Sequence, residues 1–105
     1  MDKYINLTNH PIKLLVEGEF IEIPTSGKIC RVNYEQKQEG SRVKFNYNYV
    51  IGLPDPEPNT YFIVSATALN GIKEIYPERL DVVAPFKVNK IENGKTYCEG
   101  LRHNG

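Results

Sequence analysis

The sequence holds no tryptophan, one methionine, two cysteines and two histidines. Each scarcity removes a class of chemistry. Cys30 and Cys98 stand far apart with no CxxC spacing, and His10 and His103 are equally dispersed. That set does not suit a structural zinc site. Whether the two cysteines are bonded is a question of geometry; a pair of reduced thiols in a cytosolic protein is the plainer expectation. The two histidines also disfavour a Ser-His-Asp triad, and Ser65 does not sit in a GxSxG elbow. No phosphate loop of the form GxxxxGK[ST] is present. No apolar run approaches the ~20 residues of a membrane-spanning helix. The opening M-D-K-Y-I-N-L-T-N carries no apolar signal core, so a cytoplasmic location without membrane association is expected. Charge of either sign is also missing in excess. Thirteen basic residues balance thirteen acidic ones, which argues against general nucleic-acid binding. No cofactor is implied.

What is present describes an ordinary folded domain. At 105 residues, with 40% hydrophobic and 25% charged, the chain suits one domain with its own core. Short apolar segments alternate with turn residues. Lys3 to Leu7, Ile12 to Val16 and Phe20 to Ile23 read as a β-meander, broken by Thr8-Asn9-His10-Pro11 and Glu17-Gly18-Glu19. Ile29 to Tyr34 reads as a strand, and Glu35 to Ser41 as a polar tip or mobile loop. Arg42 to Tyr49 has the cleanest period of two, with Val43, Phe45, Tyr47 and Tyr49 expected on one face. Pro54, Pro56 and Pro58 make a stiff extended loop that leads into Thr60 to Ala66. This last run is apolar on both faces, as befits a central buried strand. Thr67 to Tyr76 can form one or two helical turns before Pro77. Arg79 to Ala84, Phe86 to Ile91 and Lys95 to Glu99 complete the strands, the last two around the hairpin signal Asn93-Gly94. The expected fold is mainly β: a compact sandwich or partly open barrel of about eight short strands with at most one short helix. Residues 1–100 form the domain and 101–105 a frayed tail.

Three polar groupings are candidates for ligand contact. Ser26, Gly27 and Lys28 combine a hydroxyl, a conformationally free glycine and a cation, which can form an anion-binding nest; Arg31 follows three residues later. A plain turn and a solvated arginine are the competing reading. Ser65 and Thr67 lie where the buried strand ends, a common place for ligand-facing groups, although both hydroxyls can equally serve local backbone. Arg79 and Asp81, two apart on an expected strand, face the same way. They form either a structural ion pair or a site where Arg79 meets a phosphate and Asp81 a sugar hydroxyl. His10, between Asn9 and Pro11, reads as a turn histidine or a ligand contact. Tyr47 and Tyr49 read as core-facing aromatics or as a stacking platform for a base.

Several blocks taken together carry a resemblance. They are N-L-T-N-H-P-I at 6–12, I-P-T-S-G-K-I-C-R-V at 23–32, G-L-P-D-P-E-P-N-T-Y-F-I-V-S-A at 52–66 and R-L-D-V-V-A-P at 79–85. Their order resembles a family of small uncharacterised proteins of phages, prophages and mobile elements. The match departs at Asn9, Thr25 and Cys30, where that pattern has Pro, Pro and Ala. Small phage proteins of this kind often counter host defence, in some cases by sequestering a nucleotide-derived signal. The resemblance gives no activity by itself. Taken with the polar set, which fits an anionic, sugar-bearing ligand, the expectation is a non-enzymatic cytoplasmic protein of an infected bacterial host. Homo-oligomers are plausible because so small a domain has little room for a deep pocket. It would bind a small nucleotide-like ligand and leave it intact. Ser26, Gly27, Lys28 and Arg31 would hold phosphate with help from Arg79, while Asp81, Ser65 and Thr67 would read ribose or base. The rival readings are an interaction module for a host or virion protein, acting through a sheet edge and the proline loop, and, third, a small nucleotide hydrolase.

Overall fold

A computed structural model describes residues 3–90 and 96–103. Eight strands and one helix follow in the order β1 (Lys3–Asn6), β2 (Ile12–Val16), β3 (Glu19–Ile23), β4 (Arg31–Glu39), β5 (Arg42–Ile51), β6 (Thr60–Ile63), α1 (Ala66–Ile75), β7 (Val82–Lys90) and β8 (Thr96–His103). The protein is mainly β. Six strands form one sheet in the order β1-β6-β7-β8-β2-β3, and β4 pairs with β5 in a separate two-stranded ribbon.

The six-stranded sheet curls into a half-barrel. Its two edge strands, β1 and β3, come together at Asn6, which bridges to Thr25. The backbone N–H of Ser26 donates to the Asn6 carbonyl at 3.0 Å. The opening segment is therefore not a meander. β2 and β3 form the expected hairpin, but β1 pairs in parallel with β6 on the far side of the sheet. Parallel pairing needs a long crossover, and the whole of β2 to β5 lies within it.

Alternation along β6 sends side chains into two cores. Phe62 and Val64 join Leu7, Cys30, Val82 and Ala84 on one face, where Ala68, Leu69 and Ile72 of α1 cover them. Ile63 points the other way, into the curl, with Ile12, Val83 and Cys98. β6 is thus buried on both faces: its Phe62 and Ile63, and Val64 just beyond it, are wholly enclosed. Burying each such side chain contributes roughly 1.5–3 kcal/mol. The two cysteines are free, buried, and in different clusters.

Helix α1 starts where Ser65, in extended geometry, accepts a hydrogen bond from the Ala68 N–H at 3.1 Å. It ends at Tyr76 because Pro77 disfavours helical geometry in the residue before it. Gly71 faces the ribbon. A Cβ there would lie 2.8 Å from Val32 Cγ1 and 2.9 Å from Tyr47 Cδ1, so glycine lets helix and ribbon approach. Gly52 is constrained twice over. Its φ is +82°, and a Cβ would sit 2.5 Å from the Ile29 carbonyl oxygen.

Four local expectations change. Glu35 to Ser41 holds the expected hairpin tip, but only at Gly40 and Ser41, because the strands run out to Glu39 and Arg42. Tyr49 leaves the face shared by Val43, Phe45 and Tyr47, because the register shifts beside Asn33 and Tyr34 and leaves Asn48 as an extra residue. Arg79 and Asp81 precede β7 in a turn, so strand alternation does not orient them. Leu101 to His103 continue β8, paired with Pro85, Ala84 and Val83, where a frayed tail was expected. The hairpin signal Asn93-Gly94 lies outside the described residues; the strands flanking it, β7 and β8, pair antiparallel.

Candidate functional site

The polar motif residues fall into three places. The first is the closure of the half-barrel. Ser26 Oγ donates to the Asn6 carbonyl at 2.7 Å and accepts from the Lys28 N–H at 3.3 Å. Gly27 between them takes a φ of +88°. Asn6 is itself buried and saturated. Its Nδ2 donates to the carbonyls of His10 (2.8 Å) and Ile23 (3.2 Å), and its Oδ1 accepts from the N–H and hydroxyl of Thr8 at 2.9 and 2.6 Å. Ser26 therefore fastens backbone, while the Lys28 side chain stands in solvent.

The second place holds Arg79 and Asp81. Arg79 Nε and Nη2 donate to the two carboxylate oxygens at 2.9 and 3.0 Å, and Nη2 also reaches the Pro54 carbonyl at 2.8 Å. This fork ties the proline loop to the turn before β7. The hydrogen bond that Arg79 donates to Asp81 raises the Arg79 pKa above its ordinary value, against the desolvation that lowers it. The Asp81 carbonyl accepts from the Phe62 N–H at 2.8 Å, so the same turn is stitched to the central strand.

The third place is open to solvent. Arg31, Ser65 and Thr67 line a shallow cavity of about 310 Å³, floored by Leu7, Cys30 and Ala68. Thr8, Asn9 and Ser65 also line a second, larger cavity of about 700 Å³. Its remaining walls include His10, Lys13, Glu22, Pro85, Val88 and Tyr97. Lys13 lies over the Phe20 ring at 5.1 Å, and that ring meets Tyr97 edge-on at 5.4 Å. The cation is thus held beside an aromatic wall. Lys13 and Glu22 are cross-strand partners on β2 and β3, so a cation and a carboxylate stand together on this wall.

The eight residues singled out from sequence therefore do not form one cluster. Arg31, Ser65 and Thr67 converge; Ser26, Gly27 and Lys28 belong to the barrel closure; Arg79 and Asp81 bond each other. The large cleft adds Lys13, Glu22 and Tyr97, which had drawn no attention because they sit within strand alternation. Thr8, Asn9 and His10 carried a signal in the N-L-T-N-H turn. Among the described residues, no group of three or more His, Cys, Asp or Glu side chains is placed to hold a metal ion. No helix among them is long and apolar enough to cross a membrane.

No family model matches this chain, and neither a curated protein nor a solved structure matches it. Its function is read from the residues themselves.

Proposed function

We propose that the protein is a phage-type anti-defence binding protein that sequesters a nucleotide-derived signal without cleaving it, in the cytoplasm of an infected bacterial host. The observation that carries the ligand reading is the pair of cavities meeting at Thr8, Asn9 and Ser65. The larger, at about 700 Å³, lies within the range of about 300–1,000 Å³ that holds small ligands. Their linings offer what a nucleotide requires. Arg31 with the Ser65 and Thr67 hydroxyls suits a phosphate. Lys13 suits a second phosphate, and Glu22 suits ribose hydroxyls or a base amine. Pro85, Val88 and Tyr97 add apolar and aromatic lining against which a base can pack. The anti-defence setting rests on the resemblance in the order of sequence blocks. Sequestration rather than hydrolysis rests on the same resemblance.

Calorimetric titration with a panel of cyclic and ADP-ribose-type nucleotides tests this reading. At least one should bind stoichiometrically, weaken at least tenfold with Arg31→Glu or Lys13→Glu, and be recovered intact after the complex is heated. Absence of binding across the panel overturns the reading, and recovery of a cleaved product transfers the protein to the hydrolase alternative. The interaction-module alternative draws support from the exposed apolar face of the ribbon. The proline loop gives it less, being pinned through Pro54.

A further inference from the structure

The β4–β5 ribbon is amphipathic, and the helix covers only its base. The cross-strand pairs Tyr34–Tyr47, Gln36–Phe45 and Gln38–Val43 alternate with Glu35–Asn46, Lys37–Lys44 and Glu39–Arg42. One face is therefore aromatic, aliphatic and amide; the other holds every charged residue between positions 34 and 47. At the base, Val32 and Val50 pack against the core beneath α1. Further out, none of the described residues covers the same face. Tyr34, Val43 and Phe45 are 42%, 47% and 44% exposed, although the Tyr34 ring touches those of Phe45 and Tyr47. The ribbon also stretches the molecule. Its radius of gyration is 14.8 Å, against about 13 Å for a compact chain of this length. A two-stranded ribbon is marginal in water by itself. This one also sets Lys37 directly opposite Lys44, a like-charge pair that destabilises it.

We propose that this face packs on the same face of a second copy, so that the ribbon is a self-association arm. Charge permits this occupant. A face without charges meets its own copy across a two-fold axis with no like-charge contact at or near the axis. Tyr34, Gln36, Gln38, Val43, Phe45 and Tyr47 satisfy that condition, and the chain as a whole has a formal net charge of +0. The absence of cations on this face disfavours nucleic acid or an anionic membrane. Area fits as well. Six side chains offering about 80–100 Å² each cover about 500–600 Å² per copy, hence about 1,000–1,200 Å² between two, near the lower bound of a specific interface. The outcome is a dimer in exchange with monomer. Residues 34 to 47 line neither cavity, so self-association and ligand binding succeed or fail separately.

Sedimentation velocity on the full chain, from low to high micromolar concentration, tests the arm. The wild-type mass should rise towards twice the 12.0 kDa of one chain. Phe45→Lys or Val43→Lys should weaken the dimer at least tenfold, since a charge enters a neutral contact. Lys44→Gln, on the opposite face, should leave it unchanged. Circular dichroism of each variant checks that the fold survives. A wild-type chain that stays monomeric throughout, or a folded Phe45→Lys chain that dimerises as tightly as wild type, overturns the proposal.

Discussion

Replacing Asn6 by alanine removes the fastener of the half-barrel. Four side-chain hydrogen bonds disappear: two that Nδ2 donates to the His10 and Ile23 carbonyls and two that Oδ1 accepts from Thr8. At about 1 kcal/mol net each, the sum approaches 4 kcal/mol. Thr8 and His10 lie near the surface, and the Thr8 hydroxyl already has a second acceptor in the His10 carbonyl at 3.0 Å. Rehydration there should return part of the loss, leaving about 3 kcal/mol. Against a typical domain stability of about 5–15 kcal/mol, that is a large fraction. It corresponds to a fall in melting temperature of about 12–15 °C for a chain of this size. Thermal and urea unfolding followed by circular dichroism measure it. Asn9→Ala is the control, an exposed asparagine in the same turn, and should change stability by less than about 0.5 kcal/mol. Asn6→Asp should do no better than alanine at neutral pH, since a carboxylate would face two carbonyl oxygens. A loss below about 1 kcal/mol, or one equal to that of Asn9→Ala, would refute Asn6 as the closure of the barrel.

Two further outcomes concern the other buried polar groups. Arg79→Ala strands the half-buried Asp81 carboxylate and releases the Pro54 carbonyl. It should cost about 2 kcal/mol, because hydrogen bonds to charged groups contribute about 1.5–3 kcal/mol and partial exposure reduces the total. Urea midpoints measure the loss, and limited proteolysis should begin in the Pro54–Pro58 loop. Burial pushes the Cys30 thiol from its ordinary 9.0 up to about 11, against a smaller lowering by Arg79. Between those values the unfolded chain has lost a proton that the folded chain keeps, so stability should fall as pH rises through that window. Urea midpoints against pH should show the fall, and Cys30→Ala should reduce it.

Local structure was legible wherever burial alternates along the chain. The strand Ile12–Val16 has the bounds expected of it, and the apolar run through Phe62 marked the central strand because both its faces are buried. Partners distant in the chain were not legible. Nothing in Lys3 to Asn6 announces that it pairs with Thr60 to Ile63 rather than with the neighbouring hairpin. A single extra residue, Asn48, was enough to turn Tyr49 away from Tyr47. Ser26, Arg79 and Asp81 were open to a ligand reading or a structural one, and in the fold they take part, with Asn6 and Pro54, in hydrogen bonds that fasten the chain to itself. Turn residues that bind their own backbone look, in sequence, like residues awaiting a ligand. The cleft escaped notice for the converse reason. Lys13, Glu22 and Tyr97 come from three strands, and the pairing of β8, β2 and β3 as neighbours, distant in the chain for β8, brings them together.

The ligand reading is tested most directly by amide chemical-shift mapping of the full chain with a nucleotide that calorimetry identifies, or with the whole panel if it identifies none. Saturable shifts should concentrate at Thr8 to Lys13, Arg31, Ser65 to Thr67 and Tyr97, and leave Arg79 and Asp81 in place. An absence of saturable shifts, or shifts centred on Arg79 and Asp81 with none around Ser65, would contradict it.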